Sequence, residues 1–204
     1  SSMHFLNIVR TFLFTLAVTF LSSVSSTELS SYTASYSANY NGMDIRAKYQ
    51  LEQLGVGGYL ETSEAKSVFG KITEEARFEL NALDQIIPQS YHYKRSLMGV
   101  SRREEQLFDW SNSQLTYSKN GTQKVIPLVP NSLDLITHKL QIRRDLTAGK
   151  SAFSYLVMSR DKAKQYNYEV LATEILTTAL GPLNTTKLRR VVKQGKKRET
   201  IIWL

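Results

Sequence analysis

Residues 31–52 read SYTASYSANYNGMDIRAKYQLE, and this stretch decides the fold class. In residues 32–40 an apolar or aromatic side chain alternates with Ser, Thr or Asn, and the same period of two returns in residues 43–51. Such a period is typical of a β-strand with one buried face. Asn41 and Gly42 stand between the two runs, and both tolerate the positive φ of a tight turn. The stretch therefore predicts a hairpin in an antiparallel sheet with one face in water.

The same alternation continues beyond this hairpin. Asn120 and Gly121 repeat the turn signal between two short strands. A helix is the alternative for the fourth strand, because residues 74–77 include good helix formers. We predict further strands over residues 59–69, 72–80, 88–95, 102–110, 115–117, 125–128, 153–157, 166–170, 174–180, 183–192 and 198–203.

After Pro130 the apolar residues no longer recur at every second position. Asn131 or Ser132 can cap a helix there, and Asp134 suits the first turn, where negative charge is favoured. The apolar residues that follow are three or four positions apart, which is the spacing of one helical face. The sequence thus predicts a single helix near residues 132–147, whose apolar face contains Leu133, Ile136 and Leu140.

The N-terminal segment differs from the rest of the chain. Residues 3–10 are weakly basic, residues 12–21 are apolar apart from two threonines, and small residues follow. This order is typical of a secretion signal, and the apolar run is about half of the ~20 residues that span a bilayer. We predict cleavage near Ser25 or Ser26, which leaves a single β-rich domain of residues 27–204 without a further span. A retained membrane anchor is the alternative.

Composition excludes several classes of protein. The 204 residues contain no cysteine, so thiol catalysis, thiolate metal sites and disulfide-rich scaffolds are excluded. A chain of this length buries enough surface to fold without a metal ion. Its formal net charge is +8. His92 and His138 lie far apart in the sequence, so we expect no metal site and no cofactor.

Asp109 is the carboxylate of most interest. It precedes Trp110 on a predicted strand, so the two side chains point to opposite faces, one to the core and the other to a surface or cavity. A buried Asp109 needs donors, which Arg102, Arg103 or Arg143 can supply. Such a pair can simply fix the register of the strands. The alternative is a hydrolase of envelope glycans or lipids, in which Asp109 acts with a second carboxylate.

Seven basic residues lie within twelve positions near the end of the chain. On a hairpin around Gly195 they form a positive tip, which can contact phospholipid head groups, lipopolysaccharide or acidic glycans. The alternative is a solvated edge that prevents aggregation. Nucleic acid is not an expected partner, because no motif combines basic and stacking aromatic residues. The cluster comprises Lys187, Arg189, Arg190, Lys193, Lys196, Lys197 and Arg198.

The tyrosines allow two interpretations. On the first strand Tyr alternates with Ala on one face, which suits the packed interior of a curved sheet. The same face can instead line an amphipathic groove, because tyrosine has an apolar ring and a polar hydroxyl. Tyr91, Tyr93 and Arg95 share one side of a later strand. The residues that we consider for contact with a ligand or a surface are Tyr91, Tyr93, Arg95, Asp109, Trp110, Arg143, Arg189, Arg190, Lys196 and Lys197.

Several short motifs occur in a characteristic order. They are residues 32–36, Pro88 with Tyr91, residues 108–110, residues 134–135 leading to residues 140–143, residues 180–181, and Trp203. Over about residues 30–204 the chain resembles the bacterial exported family known as domain of unknown function 3108. The resemblance implies an envelope protein with a curved, partly open antiparallel sheet, and it brings no known reaction. Members of that family continue beyond the position of Trp203, so we expect this chain to be truncated.

The sequence thus predicts a mainly β protein, whose strongly curved antiparallel sheet forms an open or partly closed barrel with the helix over one opening. Its motifs favour a periplasmic, non-enzymatic binding or accessory protein that holds an apolar or amphipathic ligand. Lipid, lipopolysaccharide or an envelope protein is the expected partner. The alternatives are the hydrolase and a structural partner in an envelope complex.

Overall fold

The computed structural model describes residues 29–40, 42–178, 181–191 and 201–204. The predicted secretion signal, residues 1–26, lies outside the described residues, and so does the tip of the last predicted hairpin. None of the helices in the described part has the length and apolar character that crossing a bilayer requires.

An eight-stranded antiparallel sheet, which we call sheet one, contains the first part of the chain. Its strands pair in sequence order, so turns at one end of the sheet alternate with turns at the other. The alternation of apolar and polar residues gives the central strands, from the third to the seventh, one face with buried side chains. The strands are β1 (Tyr32–Tyr40), β2 (Met43–Gln53), β3 (Gly58–Ser67), β4 (Gly70–Leu80), β5 (Ile86–Leu97), β6 (Val100–Asp109), β7 (Gln114–Lys119) and β8 (Thr122–Pro127).

The opening hairpin and the fourth strand form as predicted. Tyr32 pairs with Leu51 across the hairpin, and Gly42 has a φ of 78°. The helical alternative for the fourth strand is wrong, because Ala76 and Phe78 are both buried on the inner face of β4. Burial of every second residue in the core outweighs the helix propensity of the glutamates between them.

A four-stranded antiparallel sheet, which we call sheet two, contains the last part of the chain in the order β12-β11-β10-β9. Two strands predicted separately, over residues 166–170 and 174–180, form one long strand as far as Thr178, and this strand bulges between Val170 and Ala172. The helix that the described part of the chain contains connects the two sheets. These elements are α1 (Thr137–Thr147), β9 (Phe153–Ser159), β10 (Lys162–Thr178), β11 (Gly181–Val191) and β12 (Ile201–Trp203).

Helix α1 begins at Thr137 rather than near residue 132. Leu133 is held by β9 instead, because its N–H donates to the carbonyl of Leu156 at 2.9 Å and its carbonyl accepts from the N–H of Met158 at 2.8 Å. Asp134 then caps the first turn. Its Oδ1 accepts from the N–H of Thr137 at 2.7 Å, and Thr137 Oγ1 accepts from the N–H of Asp134 at 2.9 Å. These reciprocal bonds satisfy amides that the helix itself leaves without partners.

The inner faces of both sheets and α1 share one core. Strands β1 and β8 are the edges of sheet one, and β9 and β12 are those of sheet two, so the barrel is not closed among the described strands. The predicted open, mainly β architecture is therefore confirmed, although it consists of two sheets rather than one. The largest buried cluster includes Leu51, Tyr59, Phe78, Leu80 and Ile86 of sheet one, Leu140 and Ile142 of α1, and Phe153, Val157, Tyr166 and Leu188 of sheet two.

Gln106 joins the two sheets by hydrogen bonds. This buried side chain of β6 donates from Nε2 to the carbonyls of Met158, at 3.0 Å, and Arg160, at 2.8 Å. Those carbonyls lie at the end of β9 and in the turn after it. One amide group therefore fixes the position of β9 relative to sheet one.

We expect Gln106→Leu to lower the free energy of unfolding by about 1–3 kcal/mol, because the apolar side chain leaves both carbonyls without this donor. Urea unfolding followed by far-UV circular dichroism measures the change. Gln123→Leu, at an exposed position of β8, is the matched control and changes the free energy by less than about 0.5 kcal/mol. Equal losses in the two variants would contradict this role of Gln106.

Candidate functional site

A groove of about 560 Å³ lies between the inner face of sheet one and sheet two. Residues near the start of α1, among them His138 and Lys139, border it as well. Five tyrosines line the groove, and because each has an apolar ring and a polar hydroxyl, the walls are amphipathic. They are Tyr91 and Tyr93 of β5, Tyr117 of β7, and Tyr166 and Tyr168 of β10.

Strand geometry explains why the residues of β5 and β6 meet in the groove. Tyr91, Tyr93 and Arg95 are two positions apart, so they share the inner face, as the sequence predicts. Their partners on β6 are Gln106, Glu104 and Arg102 respectively, and all six line the groove. Register therefore places two arginines side by side at one end of the tyrosine row.

Positive charge dominates the groove. Among the described residues, six basic and two acidic side chains line it, which gives these residues a net charge of +4. Both acidic groups are already engaged, because Glu74 accepts a hydrogen bond from the hydroxyl of Tyr91 at 2.6 Å and Glu104 accepts one from Tyr117 at 2.6 Å. The basic side chains are Arg95, Arg102, Lys139, Arg160, Lys164 and Arg190.

Glu104 is the centre of an ionic network in the groove. Its Oε1 accepts from Arg102 at 2.5 Å and lies 3.6 Å from Nε of Arg160. Burial alone would raise the pKa of Glu104, but the hydrogen bonds from Tyr117 and Arg102 outweigh it and hold the pKa below its usual value. Burial and the bond to Glu104 raise the pKa of Tyr117 to about 12. The carboxylate is therefore ionised and the phenol is protonated at neutral pH.

Two arginine donors in the groove lack acceptors. Nε of Arg95 and Nε of Arg102 are buried, and neither has a hydrogen-bond partner among the described residues. A buried N–H group without a partner is costly, and a guanidinium group binds carboxylate or phosphate oxygens well. Both side chains also line the groove, so an anionic group bound there would pair with the parts of the two guanidinium groups that border it.

His138 forms an uncharged part of the wall. Its Nε2 lies 2.7 Å from the hydroxyl of Tyr168, and its Nδ1 lies 3.1 Å from the carbonyl oxygen of Asp134. A carbonyl oxygen only accepts, so Nδ1 carries the hydrogen and Nε2 accepts from Tyr168. Burial, together with the nearby charge of Lys139, lowers the pKa of His138 to about 4. Both ring nitrogens are used, and the part of the chain that the structure describes contains no cluster of His, Cys, Asp or Glu suited to a metal ion.

Arg190 contacts the groove from sheet two. Its guanidinium carbon lies 3.6 Å from the ring centroid of Tyr166, which is a cation–π arrangement. Arg189, the preceding residue on β11, faces the other way and donates from Nε to Glu169 at 2.7 Å. Neighbours on a strand face opposite sides, so Arg189 and Arg190 do not share a face, and the predicted positive tip around Gly195 lies outside the described residues. Lys196 and Lys197 lie outside the described residues.

Asp109 and Trp110 lie outside this groove. Asp109 is the exposed member of the pair, and Oδ1 and Oδ2 accept from the N–H and Nδ2 of Asn112 at 3.1 and 2.8 Å. These bonds close the turn between β6 and β7 and lower the pKa of Asp109. The predicted arginine partner is wrong, because the carboxylate is not buried. Trp110 packs 5.9 Å from Phe108 between ring centroids and donates from Nε1 to the carbonyl of Pro88 at 2.7 Å.

Arg143 has a structural role instead of lining the groove. Its guanidinium group donates to the hydroxyl of Tyr32 at 2.8 Å, and that hydroxyl donates to Glu61 at 3.0 Å. This chain connects α1 to β1 and β3. Burial raises the pKa of Glu61 and, with the negative charge of Glu61, that of Tyr32.

Sequence reasoning missed part of the groove. Tyr117, Arg160, Tyr166 and Tyr168 were not predicted to contact a ligand, although the period of two predicts a strand for both tyrosines of β10. A sequence pattern shows which side chains share a face of one strand. It does not show which strands of sheet two lie opposite β5 and β6.

Comparisons with known proteins are consistent with this fold. The family model described as protein of unknown function DUF3108 matches residues 31–204. No curated protein matches the chain. A crystal structure described as a β-barrel-like protein of domain of unknown function DUF1849 from Brucella abortus superposes with a TM-score of 0.51 and 8% identity, over 83% of this chain and 82% of that one. At that identity the likeness concerns the fold alone.

Asp134 is a fully buried carboxyl group next to His138. Burial raises its pKa to about 7, although hydrogen bonds from Thr137 and Ile136 oppose this shift. Its Oδ2 has no hydrogen-bond partner among the described residues. Because the pKa in the folded state exceeds the unfolded value, the contribution of Asp134 to stability is complete at low pH and is lost as the pH rises toward 7.

We expect Asp134→Asn to become more stable relative to the parent protein as the pH rises from about 4 to about 8, because asparagine keeps the Oδ1 acceptor and carries no charge. Asp134→Ala is the control: it removes the same titrating group, so its stability relative to the parent changes with pH in the same direction, but it also loses the cap and is about 1 kcal/mol less stable than Asp134→Asn at every pH. Urea unfolding at three pH values measures both differences. A difference between Asp134→Asn and the parent that is independent of pH would refute the buried, protonated carboxyl group.

Proposed function

The chain belongs to the DUF3108 family, and since that family brings no known reaction, we propose a function from the groove. The protein is a non-enzymatic binding protein of the bacterial cell envelope, and its groove holds an amphipathic molecule with an anionic group. The observation that carries this proposal is the pair of arginines, Arg95 and Arg102, which stand side by side on β5 and β6 at one end of a row of tyrosines in the groove.

The volume of the groove and the residues that line it suit a small ligand. Ligand pockets typically have volumes of about 300–1,000 Å³ and combine apolar walls with a few polar groups, and the groove has about 560 Å³. Tyrosine rings provide apolar contact along the groove, whereas the guanidinium groups bind phosphate or carboxylate oxygens. The net charge of +4 among the lining residues favours an anionic ligand over a neutral or cationic one.

The state of the titratable groups favours binding over catalysis. A general base needs a free lone pair and a pKa near the working pH. Glu104 is ion-paired with a lowered pKa, Glu74 accepts from Tyr91, and the neutral His138 uses both ring nitrogens. The hydrolase hypothesis has no support, because Asp109 closes a surface turn outside the groove.

The location in the cell envelope rests on the sequence. Residues 3–26 have the order of zones that a secretion signal has, and the family resemblance implies export. In that compartment, phospholipids and their fatty acids are amphipathic molecules with anionic groups. Lipopolysaccharide offers the same chemistry through its phosphates and acyl chains.

We expect Arg95→Gln/Arg102→Gln to weaken binding of a fluorescent fatty acid by at least about tenfold, because two charge-assisted hydrogen bonds are lost. The dissociation constant is measured by fluorescence titration of the exported chain. Native mass spectrometry of the same preparations identifies any ligand that co-purifies. Arg46→Gln/Arg77→Gln is the control, because it removes the same charge from exposed positions on the other face of sheet one.

Equal affinities in the arginine pair variant and its control would overturn the proposal, provided that thermal unfolding shows both to be folded. A co-purified ligand without an anionic group would overturn it as well. Loss of the fatty acid from the arginine pair variant alone supports it.

A further inference from the structure

Two neighbouring turns of sheet one expose a group of apolar side chains. Val68 and Phe69 lie between β3 and β4, and their residues are 84% and 53% exposed. Met98 and Val100 lie at the turn between β5 and β6, with 80% and 64% exposed. A contiguous group of exposed apolar side chains often marks a contact surface. We call these four residues the apolar tip.

The apolar tip is one fixed surface rather than two independent loops. The N–H of Met98 donates to the carbonyl of Phe69 at 2.9 Å, and Gly70 pairs with Leu97. At Gly70 the φ is +147° and an added Cβ would lie 1.9 Å from the carbonyl oxygen of Ser96, so only glycine allows this close approach. The two turns are therefore held side by side.

Basic residues surround the apolar tip. The four strand ends that carry it, residues 64–67, 70–73, 94–97 and 100–103, contain six basic residues and a single acidic one. That acidic residue, Glu64, forms ion pairs with Lys66 at 2.8 Å and Lys71 at 2.7 Å. The set that we call the basic collar consists of Lys66, Lys71, Lys94, Arg95, Arg102 and Arg103.

We propose that the apolar tip and the basic collar dock this protein on an anionic phospholipid bilayer. Apolar side chains at the end of a rigid turn can enter the interface between head groups and acyl chains, while lysine and arginine around them meet the phosphates. This docking does not require an occupied groove.

Docking in this orientation brings one end of the groove to the bilayer. Arg95 and Arg102 belong to the basic collar and also line the groove, on the inner face of β5 and β6. Arg103 and Lys94, their neighbours, face the outer side. The same strand ends thus present one pair of basic residues to a ligand and another to the lipid surface.

The test measures co-sedimentation of the exported chain with vesicles of phosphatidylethanolamine and phosphatidylglycerol, and with vesicles of phosphatidylcholine. We expect binding to the anionic vesicles, weakened by salt, and much less binding to the neutral ones. Phe69→Ser/Met98→Ser lowers the partition coefficient by about tenfold or more, because two apolar side chains no longer enter the interface. Val56→Ser/Leu83→Ser is the control, since both residues are exposed apolar side chains in turns at the opposite end of sheet one.

The collar is tested by charge reversal. Arg103→Glu lowers the partition coefficient on anionic vesicles by about tenfold, whereas Arg77→Glu, an exposed change on the same outer face, leaves it nearly unchanged. All four variants concern exposed side chains, and thermal unfolding verifies that they fold. Fatty-acid affinity is measured on the same samples, so failure of docking and failure of the groove proposal are distinguished.

Two results overturn the docking proposal. One is equal vesicle binding by the apolar tip variant and its control. The other concerns the oligomeric state, measured by sedimentation. If the parent protein is a dimer, the apolar tip variant is a monomer and the two bind vesicles equally, a second copy of the chain covers the tip.

Discussion

Burial of the inner faces of both sheets against α1 is the constraint on which the rest of the structure depends. An open sheet with free edges has no covalent or hydrogen-bonded closure, so its shape is maintained by what packs inside it. Leu140 and Ile142 of α1 lie in the same cluster as Phe78 of β4 and Leu188 of β11. The carboxyl group of Asp134 starts the helix directly after Leu133, the residue that is hydrogen-bonded to β9.

The position of α1 divides the interior into an apolar part and a polar part. The last turn of α1 reaches the β4–β5 turn, where Arg144 donates to the carbonyl of Asp84 at 2.6 Å. Its first turn borders the groove through His138 and Lys139. The side of the interior beyond that first turn is lined by tyrosine, arginine and glutamate, which bond to one another. The groove lies on this side of the interior, beside the first turn of the helix.

The two surfaces that we propose for binding both follow from the alternation of side chains between the two faces of a strand. On β5 and β6 one residue of each neighbouring pair faces the groove and the other faces solvent, as Arg102 and Arg103 illustrate. Because basic residues occur on both faces of the sheet, the strand ends carry positive charge on two sides. A ligand with an acidic head group and a lipid surface with acidic head groups are recognised by the same chemistry, at adjacent places.

The sequence by itself determined the strands, the opening hairpin of residues 31–52 and the common face of Tyr91, Tyr93 and Arg95, because alternation is a local property of an extended chain. Only the tertiary structure decided that Tyr166 and Arg190 lie across from them. It also decided that Asp109 closes a turn and that the chain forms two sheets. Contacts between sheets depend on how the core packs around α1, and that packing joins residues whose separation along the chain leaves no periodic signal.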